Sequence, residues 1–267
     1  MDNLVIAALP DPRTRPVEIV ERKGLGHPDT ICDALAEAFS AALSRFYRQR
    51  FGFVLHHNVD KVLLAGGKAN PRFGGGEVVA PIDIFFAGRA TKVFKGVDVP
   101  VEDIAVDAGR DWLRRHLPAL DVDNDLRFHC AIHHGSGDLS ELFQRQARAG
   151  RWLANDSSIG VGFAPFSPLE QAVLAIEQRI NPVQGERPNR AFGEDVKVLG
   201  IRNGESIDVT LACALRASHV PDLDAYLACK GELERLAKEE LRRIASTDAA
   251  VSVNAADDPA HGSILPE

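Results

Sequence analysis

Residues 22–52 read RKGLGHPDTICDALAEAFSAALSRFYRQRFG, and this stretch decides how the first part of the chain folds. Apolar side chains recur in it at intervals of three and four residues, the period of a helix that buries one face. The predicted buried positions are Ile31, Leu35, Phe39, Leu43 and Phe46. Pro28 suits the first helical position because no backbone donor is needed there, and Gly52 suits the end of the helix. The stretch therefore predicts a long amphipathic helix that begins beside His27 and Asp29.

The predicted helix start is the first candidate for a functional site. Free backbone N–H groups and the positive end of the helix dipole favour anions there. Asp29 would be stabilised in the first turn and could hold a hard cation, while His27 could donate to a phosphoryl oxygen. Lys23 adds positive charge just upstream. An aspartate in a first turn is also a common cap with no further role, and the sequence leaves both interpretations open.

Length and composition limit the class of protein. The chain has 267 residues, enough for about two domains, and 31 Lys and Arg against 38 Asp and Glu give a formal net charge of −7. This balance gives no electrostatic case for binding nucleic acid or an anionic membrane surface. No apolar run approaches the ~18 residues of a membrane-spanning helix, and we expect no secretory signal at the N-terminus. The four cysteines form no CxxC pair, which favours reduced thiols in a cytoplasmic protein.

The rest of the chain alternates between strand-like and helix-like patterns. Strands are predicted at about 53–65, 78–91 and 126–132, followed by a hairpin at 195–217. Helices are predicted at about 100–117, 139–149, 167–181 and 221–246. The third begins at SPLE, residues 167–170, where serine and glutamate predict a capping box and proline suits the first helical position. Asn203-Gly204 predicts a tight turn in the hairpin. This order predicts an α+β fold in which mixed or antiparallel sheets carry helices on one face, divided into two domains, 1–122 and 123–267.

Three further motifs carry polar groups that suit a nucleotide. GSGD, residues 135–138, follows a predicted strand, where small residues let backbone donors approach a phosphate, although ordinary turns contain the same residues. Asp195 and Lys197 alternate on a predicted strand and therefore share a face. That pair suits ribose and phosphate contacts, and it suits a plain ion pair equally well. Asn155 and Asp156 precede a glycine-rich strand, a pattern that is also typical of an Asx turn.

Two other features have simpler explanations. His133 and His134 could bind a metal, but adjacent side chains seldom point the same way, so we expect surface histidines. The glycine-rich segment GGKANPRFGGGE, residues 66–77, is predicted to be a loop. It is not a P-loop because no Gly-Lys-Ser/Thr follows. It is either a flexible turn or a mobile lid over a site.

Six blocks of sequence occur in the order and spacing typical of one known family. They are VERKGLGHPD, FGFVLHHNVDKVLLAGG, PRFGGGEV with GRAT, GSGDL, ANDSSIGVGFAP and GEDVKVLGIR. Through these blocks, over about residues 15–258, the chain resembles the S-adenosylmethionine synthetases of the archaeal type. The resemblance implies a methionine adenosyltransferase that forms S-adenosylmethionine from ATP and L-methionine and releases phosphate and diphosphate. It also implies Mg²⁺ and K⁺ as cofactors and a homodimer with shared active sites.

The resemblance also implies roles for particular residues. His27 would stabilise the leaving triphosphate oxygen, Asp29 would hold a magnesium ion and Asp156 would contact the amino group of methionine. Lys197 completes the expected catalytic set with His27 and Asp156. The expected ATP-binding residues are Lys23, Gly135, Ser136, Asp138 and Asp195.

The length of the chain leaves more than one function open. Members of the family continue beyond the block that corresponds to ADDPAHGS, residues 256–263, so the resemblance predicts that about the last third of a typical member is absent. The chain is then either an active synthetase or a shortened, catalytically impaired homologue that serves as a nucleotide-binding or regulatory partner subunit. A third interpretation is a gene fragment that has no independent fold.

Overall fold

The structure is a computed structural model and describes residues 4–11, 14–135, 159–182, 185–245 and 249–258. The chain forms two compact units. We call one the three-strand unit, made of Leu25–Asn70 and Gly76–Val161, and the other the four-strand unit, made of Met1–Gly24, Pro71–Gly75 and Gly162–Glu267. Each has a main sheet that is covered by helices on one face, and this confirms the expected α+β fold.

The first half of the described chain contains β1 (Val17–Lys23), α1 (Pro28–Phe51), β2 (His57–Ala65), β3 (Lys68–Arg72), β4 (Gly75–Ala80), β5 (Ile82–Ala90), β6 (Val93–Phe94), β7 (Val97–Asp98), α2 (Val101–His116) and β8 (Leu126–His134). The second half contains α3 (Pro168–Ile180), β9 (Phe192–Asn203), β10 (Ser206–Leu215), a short 3-10 helix (Ala217–His219), α4 (Leu223–Ala245) and β11 (Ala250–Val253). The helix predicted at 139–149 lies outside the described residues.

The three-strand unit packs α1 and α2 against a sheet of order β2-β5-β8. β2 and β5 are antiparallel, whereas β5 and β8 are parallel. The core lies between helices and sheet, where Phe39 of α1 meets Phe86 of β5 edge to face at 5.6 Å. The long helix predicted from residues 22–52 is therefore the central element of this unit.

The buried stripe of α1 differs from the predicted one at a single position. Ile31, Leu35, Phe39 and Leu43 are buried as expected, but Tyr47 takes the fifth position and Phe46 is only half-buried. The stripe keeps a spacing of four residues to its end, and the Tyr47 hydroxyl donates to the Thr91 carbonyl at 2.8 Å. Because its hydroxyl has a partner, the whole Tyr47 side chain can be buried. This burial raises the pKa of the Tyr47 phenol.

The four-strand unit has strand order β1-β9-β10-β11. β9 and β10 form the hairpin that Asn203-Gly204 predicts, and Gly204 adopts a φ of 58° in the turn. α3 begins at the predicted capping box: the Ser167 hydroxyl accepts from the Glu170 N–H at 3.1 Å, and the Glu170 carboxylate accepts from the Ser167 N–H at 2.6 Å. α3 and α4 cover one face of the sheet and enclose its core.

Long-range pairing makes the two units interleave along the chain. β1 lies near the N-terminus but pairs antiparallel with β9, about 180 residues later. The compact units therefore do not coincide with the contiguous ranges 1–122 and 123–267 expected from the sequence.

The loop expected at residues 66–77 is wrong in part, because β3 and β4 pair there as a two-stranded ribbon. Pro71 lies within β3. A proline is compatible with this strand because both strands of a two-stranded ribbon are edge strands, and backbone donors on their outer sides have no strand to pair with. Gly74, at a φ of 80°, makes the turn. Nearly all side chains of the ribbon are exposed, so hydrophobic periodicity gave no strand signal for residues 66–77. The end of β4, residues 78–80, lies in the strand predicted at 78–91, which the structure divides at Pro81 into β4 and β5.

The second face of each main sheet carries exposed apolar side chains. Ile19 of β1 is 64% exposed, opposite the face that packs on α3 and α4. In the three-strand unit, Leu63 lies opposite Phe85 and is 62% exposed. His129 stacks on Phe85 with ring centroids 4.3 Å apart. None of the helices in the described ranges is long and apolar enough to cross a membrane.

Candidate functional site

The start of α1 holds the first group of candidate residues. His27 is the N-cap, and its Nδ1 accepts a hydrogen bond from the Asp29 backbone N–H at 3.2 Å. A ring nitrogen that accepts carries no proton, so the neutral imidazole carries its proton on Nε2. His27 is half-buried. The geometry therefore leaves Nε2–H as a donor beside the positive end of the α1 dipole.

Asp29 lies in the first turn of α1 and its side chain is exposed. Among the described residues, no group of three or more His, Cys, Asp and Glu side chains is arranged to hold a metal ion. A single carboxylate nevertheless fits Mg²⁺, which is commonly held by one or two carboxylates together with substrate phosphates and water. Asp29 thus suits Mg²⁺ that arrives with a polyphosphate, and it does not form a complete protein site.

The second group of candidates lies where β1 pairs with β9. Lys23 and Lys197 are directly opposite each other in the antiparallel register. Glu21 lies between their ammonium groups: its Oε2 is 2.7 Å from Lys197 Nζ, and its Oε1 is 3.4 Å from Lys23 Nζ. The hydrogen bond from Lys197 lowers the pKa of the Glu21 carboxyl, with a smaller contribution from Lys23. Sequence reasoning missed Glu21 as a partner of both lysines.

Asp195 joins this group from the same strand as Lys197. Residues 195 and 197 are half-buried, while the intervening Val196 and the following Val198 are fully buried in the core. The two polar residues therefore share the face of β9 that turns away from α3 and α4. This arrangement combines a carboxylate with two ammonium groups on one open sheet surface.

A buried polar cluster supports the end of β1 in the four-strand unit. The Gly24 N–H donates to the Val196 carbonyl at 2.7 Å. A Cβ at position 24 would lie 3.2 Å from Glu177 Oε1, 3.2 Å from the Glu194 carbonyl and 3.3 Å from Asn181 Nδ2. We call the three groups of Glu177, Glu194 and Asn181 around this position the cage. Any side chain larger than that of glycine would require these groups to move. Position 24 is thus fixed by residues of α3 and β9 that are about 150–170 residues away.

The two carboxylates of this cluster form ion pairs with arginines. Glu177 is buried and accepts from Arg22 Nε at 3.3 Å, and burial raises the pKa of its carboxyl in spite of that partner. Glu194 is also buried and pairs with Arg187 at 2.8 Å and with Arg216. The role of Glu177 was not predicted from the sequence. A signal was present, because Glu177 falls on the buried face of α3 between Val173 and Ile180.

The remaining candidates are only partly described. Gly135 follows β8 directly and is buried. Ser136, Asp138 and Asp156 lie outside the described residues. His133 and His134 are both exposed, which confirms the expectation of surface histidines.

The structure brings the predicted residues together in two groups. His27 and Asp29 belong to the three-strand unit, while Lys23, Asp195 and Lys197 belong to the four-strand unit. The chain passes from one unit to the other between Gly24 and Leu25. Each group is suited to anions, the first through backbone donors and an imidazole N–H, the second through paired lysines.

Comparisons with known proteins identify the family. The profile of the family described as S-adenosylmethionine synthetase (AdoMet synthetase) matches residues 3–265. A probable S-adenosylmethionine synthase of Aquifex aeolicus is 46% identical over 248 residues, which are 92% of this chain and 62% of the relative. The S-adenosylmethionine synthase of Haloarcula marismortui is 46% identical over 242 residues, 91% of this chain and 60% of the relative. That of Aeropyrum pernix is 46% identical over 263 residues, 96% of this chain and 64% of the relative.

The chain therefore spans about three fifths of the length of these curated relatives. Among solved structures, one titled as an unusual S-adenosylmethionine synthetase from Campylobacter jejuni covers 95% of this chain and 60% of its own, with a TM-score of 0.44 and 10% identity. That likeness is too weak to support an argument about the fold. The family match and the identities to relatives agree with the six sequence blocks, and the chain belongs to the S-adenosylmethionine synthetase family.

Proposed function

We propose that the protein is a methionine adenosyltransferase, which forms S-adenosylmethionine from ATP and L-methionine and releases phosphate and diphosphate. The observation that carries this proposal is the geometry of the α1 start, where His27 accepts from its own helix through Nδ1 and keeps Nε2–H as a donor. Membership of the family supplies the substrates. The donors at the start of α1 support this proposal, because the leaving group gains negative charge.

The proposed reaction is a displacement at C5′ of the adenosine. A lone pair on the methionine sulfur forms the C–S bond, and the electron pair of the breaking C–O bond goes to the triphosphate oxygen. Water then cleaves one P–O–P bond of the triphosphate, which gives phosphate and diphosphate. A thioether needs no general base, so the protein must mainly stabilise charge that develops on the departing oxygen. The His27 Nε2–H and the positive end of the α1 dipole suit that task, because both interact more strongly as the charge grows.

The other assigned residues have supporting roles in this proposal. Lys197 and Lys23 bind phosphate oxygens, and Asp195 accepts from a ribose hydroxyl. Gly135, Ser136 and Asp138 supply further nucleotide contacts. Asp156 completes the catalytic set by accepting from the amino group of methionine.

Mg²⁺ is the proposed metal cofactor, and Asp29 is the residue that would hold it. When bound, the ion would neutralise part of the polyphosphate charge. The exposed position of Asp29 in the first turn of α1 supports the assignment, because the metal and its phosphate ligands need access to the carboxylate. K⁺ is proposed as a second cofactor on the family resemblance alone.

We further propose a cytoplasmic homodimer with shared active sites. The exposed apolar side chains on the second face of each sheet, including Ile19 and Leu63, support association, since a second copy would remove them from water. The four cysteines, all within the described ranges, form no disulfide with one another, which agrees with a reducing compartment.

A second candidate function is a nucleotide-binding or regulatory partner subunit without its own activity. It shares with the first candidate the family membership and the phosphate-suited groups at Lys23, Lys197 and the start of α1, and the two candidates differ only in turnover. Such a subunit would keep the phosphate-binding groups and lack turnover.

One assay separates the two candidates. The purified chain is incubated with ATP, L-methionine, Mg²⁺ and K⁺, and S-adenosylmethionine is measured by mass spectrometry, while ATP binding is measured in parallel by calorimetry. Product that depends on all four components supports the transferase. ATP binding without product supports the partner subunit. A chain that melts cooperatively and binds no ATP contradicts both.

A further inference from the structure

The lysine pair at the end of β1 presents an electrostatic problem. Like charges directly opposite each other across two strands destabilise a sheet, and Lys23 and Lys197 are register partners. Glu21 is two residues before Lys23, so it projects from the same face of β1. Its two carboxylate oxygens contact different lysines, at 2.7 Å for Lys197 and 3.4 Å for Lys23. The carboxylate thereby neutralises a repulsion that the strand pairing creates.

This arrangement is open to solvent. The side chain of Glu21 is 36% exposed, that of Lys23 is 30% exposed and that of Lys197 is 41% exposed. Ion pairs with this degree of exposure are weak, because water and salt screen them. A dissolved anion that carries several charges can therefore reach the ammonium groups and replace the carboxylate.

We propose that Glu21 is an internal competitor for polyphosphate, which holds Lys23 and Lys197 while no nucleotide is bound and releases both when the triphosphate of ATP takes its place. This inference rests on the proposed function, since that function assigns the two lysines to phosphate contacts. It assigns to Glu21 a regulatory role at the same site.

The exchange makes the site selective for charge. A single phosphate carries little more charge than the carboxylate it must displace, whereas a triphosphate carries several charges on a chain that can reach both lysines. Glu21 therefore disfavours phosphate relative to triphosphate. It also recaptures the lysines after the triphosphate is cleaved, which promotes release of the short products.

The test measures binding of inorganic tripolyphosphate to the full chain by calorimetry at low salt, with EDTA to remove divalent cations. Glu21→Gln removes the competing charge. We expect the dissociation constant of this variant for tripolyphosphate to be about three- to tenfold lower than that of the native chain. Glu21→Asp keeps the charge on a shorter side chain that cannot reach both lysines well, and we expect a smaller decrease. The increase in tripolyphosphate affinity of both variants over the native chain should become smaller as the salt concentration is raised.

Two controls make the result specific. Glu234→Gln removes an equal charge from the exposed Glu234–Lys238 pair on α4 of the same unit, and we expect no change in affinity. Lys197→Met removes one of the ammonium groups, and we expect weaker binding. Thermal melts of every variant establish that the fold is retained.

The outcomes separate this inference from the proposed function. If Lys197→Met weakens binding and Glu21→Gln leaves it unchanged or weaker, the phosphate site stands and Glu21 is no competitor. If Lys197→Met leaves binding unchanged, the phosphate assignment fails and the role of Glu21 fails with it. An equal gain from Glu234→Gln would also overturn the inference, because the effect would then be one of net charge.

Discussion

The start of α1 and the lysine pair of β1 and β9 prepare for an anion in opposite ways. At the helix start, the donors are backbone N–H groups and the Nε2–H of His27. On the sheet, two ammonium groups already share the Glu21 carboxylate. The helix start becomes more effective as charge develops on a leaving group, whereas the lysine pair must exchange one anion for another. Removing the His27 donor should therefore weaken stabilisation of the leaving group at the helix start. Removing the Glu21 carboxylate should instead strengthen anion binding at the lysine pair.

The largest expected effect comes from His27→Asn. Asparagine is among the best N-cap residues, so the helix keeps its cap while the Nε2–H donor is lost. We expect the rate of S-adenosylmethionine formation to fall about 100-fold or more, the usual effect of removing one donor that stabilises an oxyanion. The melting temperature should change by less than about 2 °C.

The matched control is His219→Asn, which changes an exposed histidine of the 3-10 helix. It should leave both the rate and the melting temperature unchanged. If His27→Asn loses activity only because the protein unfolds, the result would contradict a specific role for the Nε2–H donor at the helix start.

Asp29→Asn sharpens the comparison at the metal. The change removes the carboxylate but keeps a side chain of the same shape, and we expect the Mg²⁺ concentration that gives half-maximal activity to rise about tenfold. Asp33→Asn, one turn further along α1 and also exposed, is the control and should not alter the Mg²⁺ requirement. An unchanged requirement in Asp29→Asn would reduce Asp29 to a first-turn residue that only stabilises the helix.

Gly24→Ala tests how firmly the end of β1 is held. The added methyl group would meet Glu177, Glu194 and Asn181 at 3.2–3.3 Å, and two of these contacts belong to buried side chains that cannot easily move. We expect a loss of about 1 kcal/mol in the free energy of unfolding, measured by chemical denaturation. Gly231→Ala, in the interior of α4 with open space around it, should instead gain about 0.5–1 kcal/mol. Equal effects of the two changes would contradict the cage.

The smallest expected effect is a pH dependence at Glu177. Burial raises the pKa of this carboxyl above its usual 4.5, so the folded state holds the proton more tightly than the unfolded state does. Its contribution to stability is therefore present below pH 4.5 and is lost as the pH rises through the raised pKa. Glu177→Gln keeps an acceptor for Arg22 and removes this dependence.

The melting temperature of Glu177→Gln should accordingly improve relative to the native chain by about 1–3 °C between about pH 4.5 and pH 7.5. Glu234→Gln on the exposed surface of α4 should show no such trend. A trend of the opposite sign would mean that the ion pair with Arg22 outweighs burial.

The features that sequence predicted well are set by neighbouring residues. The start of α1, the capping box at Ser167 and Glu170, and the turn at Asn203-Gly204 each depend on residue types within a few positions. These signals are local, and the structure contains all three elements.

The features that sequence missed depend on partners far along the chain. The register that places Lys23 opposite Lys197 joins residues 174 positions apart, and no local pattern encodes it. The same holds for the cage around Gly24. β3 and the first half of β4 were missed because their exposed side chains lack the alternation that marks a half-buried strand. Sequence therefore indicated which residues are chemically suited to phosphate, but not which carboxylate already occupies the lysines.

The most direct test of the account concerns the proton on His27. In a ¹⁵N NMR spectrum of the chain with labelled histidine, comparison with His27→Asn assigns the His27 ring among the nine histidines. The account predicts that Nδ1 is an acceptor and that Nε2 carries the proton, and that the Nε2 signal shifts when inorganic tripolyphosphate is added while Nδ1 remains an acceptor. A ring protonated on Nδ1, or an Nε2 signal unmoved by saturating tripolyphosphate, would contradict the claim that this helix start receives the departing polyphosphate.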